Sequence, residues 1–94
     1  MDDWPGGKAW LRRMAESDFS THPSAWWVGR TLLQFCNRDG LVTISLEQIS
    51  KLSMVSYASA RRSCLWLDEI GWIDYRPRHP DGVVLLKEEI THEH

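Results

Sequence analysis

Residues 44–76 read ISLEQISKLSMVSYASARRSCLWLDEIGWIDYR and carry the signals for two helix starts and one helix end. Ser45 precedes Gln48 by three positions, which is the spacing of a capping box, and Ser56 directly precedes a second amphipathic run. Gly71 follows the last periodic apolar residue, as a helix-terminating glycine does. The segment therefore predicts two helices that are separated by a short break.

The sequence before this segment predicts two further helices and a strand. Apolar residues at helical spacing indicate a first helix over residues 8–16. Pro23 suits the first turn of a second helix, because proline lacks an N–H that would go unpaired there, and Asp39-Gly40 ends it. Residues 41–44, LVTI, are typical of a short strand.

The sequence after the segment predicts a β-hairpin. Residues 72–76 and 83–87 have strand composition and are joined by a loop rich in proline and glycine. The whole order is helix, helix, strand, helix, helix, strand, strand, which predicts an α+β fold that is mainly α. We divide the chain into an N-terminal extension with a short helix (1–22), one domain (23–88) and an acidic, histidine-bearing tail (89–94).

Composition limits the class of protein. A chain of 94 residues with 43% hydrophobic and 26% charged residues is expected to form one globular domain. It has no apolar run long enough to cross a membrane, and its acidic N-terminus, broken by proline and glycine, does not resemble a secretory signal. A cytoplasmic location is therefore expected. Cys36 and Cys64 lie within apolar helical patterns, where unpaired buried thiols are expected rather than a disulfide.

Charge is distributed unevenly along the chain. The net charge is −2, and residues 72–94 alone carry five acidic against three basic side chains. The acidic excess is therefore C-terminal. Arg61, Arg62, Arg76 and Arg78 remain free to form a local basic surface.

This order of elements, together with the residues of the quoted segment, resembles the winged helix-turn-helix domains of bacterial, plasmid and phage DNA-binding proteins. The matching positions are Ser45-Leu46, Ile49-Ser50, Val55-Ser56, Arg62, Leu67-Asp68 and Gly71-Trp72-Ile73. Met54 departs from the pattern, because the family turn usually has glycine there. The resemblance implies a three-helix core with a β-hairpin wing over residues 23–88, preceded by an extra N-terminal helix.

The resemblance also implies that the helix beginning after Ser56 lies in the major groove of double-stranded DNA. The candidate contacts on this helix and on the wing are Ser56, Tyr57, Ala58, Ser59, Arg61, Arg62, Arg76, Arg78 and His79. Arginine pairs with guanine, and hydroxyl groups suit phosphates. An exposed pair of arginines alone is more often a solvated surface, so the hypothesis depends on their place in the fold.

Six tryptophans exceed what a core of this size usually holds. Trp27 and Trp72 are expected inside, whereas Leu65 and Trp66 are hard to place there. The N-terminal helix could cover them within one chain, or the same surfaces could meet in a symmetric homodimer, which we favour because one half-site would be bound weakly. The candidate protein interface is Trp10, Leu11, Met14, Leu65 and Trp66.

Other kinds of chemistry have little support in the sequence. The four histidines lack the spacing of a metal-ligand set, and no serine has a histidine and an acid in register, so we predict no metal, no catalytic residue and no cofactor. Two functions remain. The first is a small sequence-specific DNA-binding protein, as a transcriptional repressor or a plasmid or phage replication or maintenance factor. The alternative is an adaptor that binds a protein partner and no DNA.

Overall fold

The computed structural model describes residues 4–76 and 84–86, and within them four helices and three short strands form the fold. The elements are α1 (Gly7–Glu16), α2 (Pro23–Gln34), β1 (Leu41–Val42), α3 (Leu46–Ser53), α4 (Tyr57–Glu69), β2 (Ile73–Tyr75) and β3 (Val84–Leu86). The predicted order of elements and the predicted mainly α class are confirmed. The helix expected to end at Asp39-Gly40 is shorter than predicted, since α2 ends at Gln34.

The strands form one antiparallel sheet in the order β1-β3-β2. Leu85 of β3 pairs with Leu41 of β1 on one side and with Asp74 of β2 on the other. β3, the last strand of the described residues, is thus the central strand of the sheet. The predicted turn between β2 and β3 and the predicted tail (89–94) lie outside the described residues.

The helix ends are fixed by the side chains that the sequence indicated. The backbone N–H of Gln48 donates to Ser45 Oγ at 3.1 Å, and the backbone N–H of Ser45 donates to Gln48 Oε1 at 3.1 Å, which completes a capping box at α3. The backbone N–H of Ser59 donates to Ser56 Oγ at 3.0 Å at the start of α4. Gly71, with φ 87°, follows the end of that helix in the left-handed region.

All four helices contribute to one hydrophobic core, in which α2 contacts each of the other three helices. The buried apolar residues are Trp4, Trp10, Met14, Ala25, Val28, Leu32, Cys36, Val42, Ile49, Ala60, Cys64, Leu67, Trp72, Ile73 and Tyr75. The N-terminal helix, predicted as part of an extension, therefore packs in the same core as α2, α3, α4 and β2. Both cysteines are buried and unpaired, as expected.

Trp27 and Trp10 do not lie where the sequence predicts: Trp27 is exposed and Trp10 is buried. Trp27 was predicted inside but is 57% exposed, because Val28 and Leu32 face inward and Trp27 lies 100° around α2 from Val28. Trp10, predicted at an interface, is fully buried instead. Its Nε1 donates to the carbonyl oxygen of Trp72 at 3.3 Å, and the two rings meet edge to face at 5.5 Å. Trp72 lies in the core as predicted.

α1 packs against α2 at Gly29. A Cβ atom at this position would lie 2.9 Å from Cε of Met14, inside van der Waals contact. Met14 therefore packs over the bare backbone of α2. Met14 is therefore buried in the core and is not available for the protein interface where the sequence placed it.

The turn between α3 and α4 carries local backbone strain. Met54 has φ 60° and ψ 38°, the left-handed conformation, and it is 90% exposed. A side chain in this conformation costs about 1–2 kcal/mol, and here no burial offsets it. A glycine at this position would remove the cost, because it adopts the left-handed conformation freely.

Replacing Met54 with glycine is expected to raise the free energy of unfolding by about 0.5–1 kcal/mol, because the relief of strain exceeds the added entropy of the unfolded chain. Urea unfolding followed by circular dichroism measures the change. Leu52→Gly is the matched control, since Leu52 is half exposed but helical, and it should destabilise by about 1 kcal/mol. Destabilisation by both variants would contradict the strain at Met54.

Alkaline pH is expected to destabilise the protein through Cys64. Burial raises the pKa of this thiol from its ordinary value of 9.0 to about 12. Because the folded-state pKa is the higher one, the stability is complete below pH 9 and is lost as the pH rises above it. We expect a loss of about 1.4 kcal/mol between about pH 8 and pH 10. Unfolding curves of Cys64→Ala should lack this component, and an unchanged pH dependence would count against it.

Candidate nucleic-acid interface

The outer face of α4 is where the predicted contact residues lie. The helix buries Ala60, Ser63, Cys64 and Leu67 and leaves the opposite face open to solvent. Of the predicted DNA contacts on this helix and at its cap, Ser59 is half-buried and the others are exposed: Ser56, Tyr57, Ala58, Arg61 and Arg62. The structure therefore brings together the N-terminal half of the predicted site.

The two arginines of α4 point to different sides. Consecutive residues lie 100° apart around a helix, so Arg61 and Arg62 diverge. The guanidinium of Arg62 donates from Nη2 to Ser59 Oγ at 3.3 Å. Among residues 4–76 and 84–86, no carboxylate forms an ion pair with either arginine. Both positive charges are therefore uncompensated by the described part of the chain.

Arg61 lies on the side of α4 that faces the sheet. Burial raises the pKa of the Tyr75 hydroxyl, with smaller contributions in the same direction from Cys64 and Tyr57, and the positive charge of Arg61 opposes them. Arg61 is therefore close enough to Tyr75 for its charge to affect that hydroxyl. Arg62, by contrast, faces the segment that connects α1 and α2.

Arg76 is not a free cation. Its guanidinium donates to Asp74 Oδ2 from Nη2 at 2.8 Å and from Nε at 3.3 Å. The hydrogen bond to Asp74, followed by the charge of that carboxylate, raises the pKa of Arg76. Contact with a phosphate would have to compete with this pair. The other two contacts predicted on a wing, Arg78 and His79, lie outside the described residues.

Within the described part of the chain, two aromatic side chains outside α1 cover part of Trp66. Phe19 meets its ring edge to face at 5.7 Å, and His22 stacks on it with the ring centroids 4.1 Å apart and the planes 11° apart. Both belong to the linker between α1 and α2, defined here as residues 17–22. Trp10 and Met14 are buried against α2, so of the predicted protein interface Leu11 and Leu65 keep substantial exposure, 40% and 39%.

The linker is held in place by its own hydrogen bonds. The backbone N–H of His22 donates to the carbonyl oxygen of Phe19 at 3.0 Å, and that of Ser20 donates to Asp18 Oδ1 at 2.9 Å, which lowers the pKa of Asp18. Phe19 also meets the rings of Trp26 and Trp72 edge to face. An aromatic residue inside the polar break SDFSTHPS was the signal in the sequence that this linker packs.

A pocket of about 460 Å³ opens between the linker and α4. Thr21, His22 and Ser24 line one wall, and Ser59 and Arg62 line the other. Trp66 and Glu69 extend the pocket toward the end of α4. Two hydroxyl-bearing walls and one arginine thus meet directly beside the predicted contact residues.

Comparison with known proteins assigns neither a family nor a function to the chain. No family model matches the chain, and neither a curated protein nor a solved structure matches it. Within the described residues no group of three or more histidine, cysteine or acidic side chains is placed to hold a metal ion. No helix in that part of the chain is long and apolar enough to cross a membrane.

Proposed function

We propose that the protein is a winged helix-turn-helix that binds double-stranded DNA sequence-specifically, with α4 in the major groove. In this proposal α2, α3 and α4 are the three-helix core, and β2 with β3 forms the wing. The observation that carries it is the outer face of α4, where Arg61 and Arg62 are exposed and form no ion pair within the described residues.

The size and shape of α4 support this use. A helix of 13 residues is about 20 Å long and fits a groove that is about 12 Å wide. Ala58 carries only a methyl group on the outer face, which lets the helix axis approach the base edges. Arg61 and Arg62, on either side of Ala58, are then placed to contact guanine or the flanking phosphates. Arg76 has a lesser role in this proposal, because Asp74 already binds its guanidinium.

A regulatory role fits such a protein best: a small cytoplasmic repressor, or a plasmid or phage replication or maintenance factor. We further propose that it acts as a homodimer on a palindromic site. The dimer interface must then lie elsewhere than at Trp10 and Met14. Light scattering at micromolar concentration should give twice the mass of one chain, and a monomer mass would remove this part of the proposal.

Selection from random duplex DNA tests the proposed function. We expect the protein to enrich a defined sequence over several rounds, with guanine at the positions that an arginine contacts. The double variant Arg61→Ala with Arg62→Ala should enrich nothing above background. Failure of the natural chain to enrich any sequence, with its fold verified by circular dichroism, would overturn the proposal.

An adaptor that binds a protein partner is the second candidate. It is favoured by apolar side chains that are exposed on α3, on α4 and in the turn between them: Leu52 (50%), Met54 (90%), Tyr57 (54%) and Leu65 (39%). Salt distinguishes the two candidates. Binding through phosphate contacts weakens steeply as salt rises, whereas binding through an apolar surface does not.

A further inference from the structure

We propose that the pocket between the linker and α4 is a subsite for a backbone phosphate of the bound duplex, with Arg62 and the imidazole of His22 as its two cations. The inference rests on the proposed function and extends it. It gives the linker a role in DNA binding, although the linker lies before the segment that resembles a winged helix domain. It also makes the affinity for DNA depend on pH.

The pocket offers the donors that a phosphate requires. Arg62 Nη2 lies 3.3 Å from Ser59 Oγ, so a guanidinium and a hydroxyl are already adjacent on one wall. Thr21 and Ser24 add hydroxyl groups from the other wall. A guanidinium beside hydroxyl donors is a common way of binding a phosphate oxygen, because the hydrogen bonds are charge-assisted.

His22 is positioned before any ligand arrives. Its ring lies flat on Trp66, and its Nδ1 is 3.0 Å from Thr21 Oγ1. Nε2 has no hydrogen-bond partner among the residues that the structure describes, so this nitrogen is available to a ligand. Histidine is the side chain that ordinarily changes charge between about pH 5 and pH 8.

The charged groups around His22 divide the pocket into two ends. Arg62 and Glu69 face it from α4, and Asp18, in the same linker, accepts from the Ser20 N–H. On α2 the first charged residue is Arg30, whose Cζ lies 6.0 Å from the Trp26 ring centroid. Glu69 follows Arg62 by two helical turns, about 10 Å. The anion therefore fits at the Arg62 end, away from Glu69.

A phosphate at that end would compensate the repulsion between Arg62 and a protonated His22. Binding of DNA is then coupled to uptake of a proton by His22, and affinity rises as the pH falls. We expect the selected duplex to bind roughly fivefold more tightly at about pH 6 than at about pH 8 at constant ionic strength, as one added charge-assisted contact would give. Fluorescence anisotropy of the labelled duplex measures the change.

Two substitutions test whether His22 causes the pH dependence. His22→Phe keeps an aromatic ring on Trp66 but cannot titrate, so its affinity should be the same at both pH values. His22→Gln is the second variant if the first fails to fold, as judged by its thermal midpoint. His92→Gln, in the predicted tail (89–94), is the matched control and should keep the response of the natural chain.

The outcomes separate this inference from the proposed function. If the natural chain binds no duplex at either pH, the proposed function fails and the subsite fails with it. If it binds but His22→Phe responds to pH as the natural chain does, only the subsite is overturned.

A further arm uses inorganic phosphate without DNA and follows the His22 ring protons by NMR. No saturable shift is expected at millimolar phosphate, because a single small anion lacks the other contacts of the duplex. Saturation would assign the pocket to a free phosphate compound and overturn the assignment to DNA.

Discussion

Replacing Trp10 with alanine is expected to lower the free energy of unfolding by about 3–5 kcal/mol. The side chain is fully buried, its Nε1 donates to the carbonyl oxygen of Trp72, and Met14 packs beside it over Gly29. Alanine would leave a cavity and an unpaired buried carbonyl oxygen. A domain of this size has a total stability of about 5–15 kcal/mol, so the variant should be largely unfolded at modest urea concentrations.

Trp27→Ala is the matched control, since this tryptophan is 57% exposed and should cost less than about 1 kcal/mol. Chemical denaturation of both variants, followed by circular dichroism, gives the comparison. A chain of residues 23–94 alone should likewise fail to fold stably, because it lacks Trp10 and Met14. If Trp10→Ala and Trp27→Ala were equally mild, α1 would not be part of the core.

Arg61→Ala and Arg62→Ala are each expected to weaken binding of the selected duplex by about 1–3 kcal/mol, or roughly fivefold to 150-fold. The reason is that each guanidinium is exposed on the outer face of α4 and has no carboxylate partner among residues 4–76 and 84–86. Because the two side chains diverge by 100°, they should contact different parts of the duplex, and their effects should be nearly additive. Titrations with labelled duplex measure both.

Arg12→Ala provides the control for charge alone. It removes one positive charge from α1, which packs on α2 and not on α4, and should change affinity less than twofold. If all three variants weakened binding equally, net charge and not the face of α4 would govern affinity. Unchanged affinity in both α4 variants would exclude this helix from the interface.

The local features of the fold could be predicted because their signals are local. Ser45 and Gln48 satisfy each other's backbone groups within one turn, and Gly71 ends a helix through its own conformation. The position of Trp27 could not be predicted in the same way. Periodicity places an apolar stripe on α2, but which edge of the stripe is covered depends on where α1 packs, and no local pattern in the sequence gives that position.

The candidate site shows the same division between local and distant contacts. The exposed face of α4 followed from the helical period, and it is confirmed. The ion pair of Arg76 with Asp74 could also have been predicted, because residues two apart along an extended segment share a face. The stack of His22 on Trp66 could not be predicted. It joins residues far apart in the sequence, and the linker that carries His22 has no periodic pattern.

The salt dependence of binding to the selected duplex tests the central claim most directly. If α4 and its arginines contact the DNA backbone, the logarithm of the association constant should fall linearly with the logarithm of the salt concentration. Arg62→Ala should reduce the magnitude of that slope by about 1, because one cation is lost. An association constant that does not change with salt, or a slope that is identical in Arg62→Ala, would contradict the account.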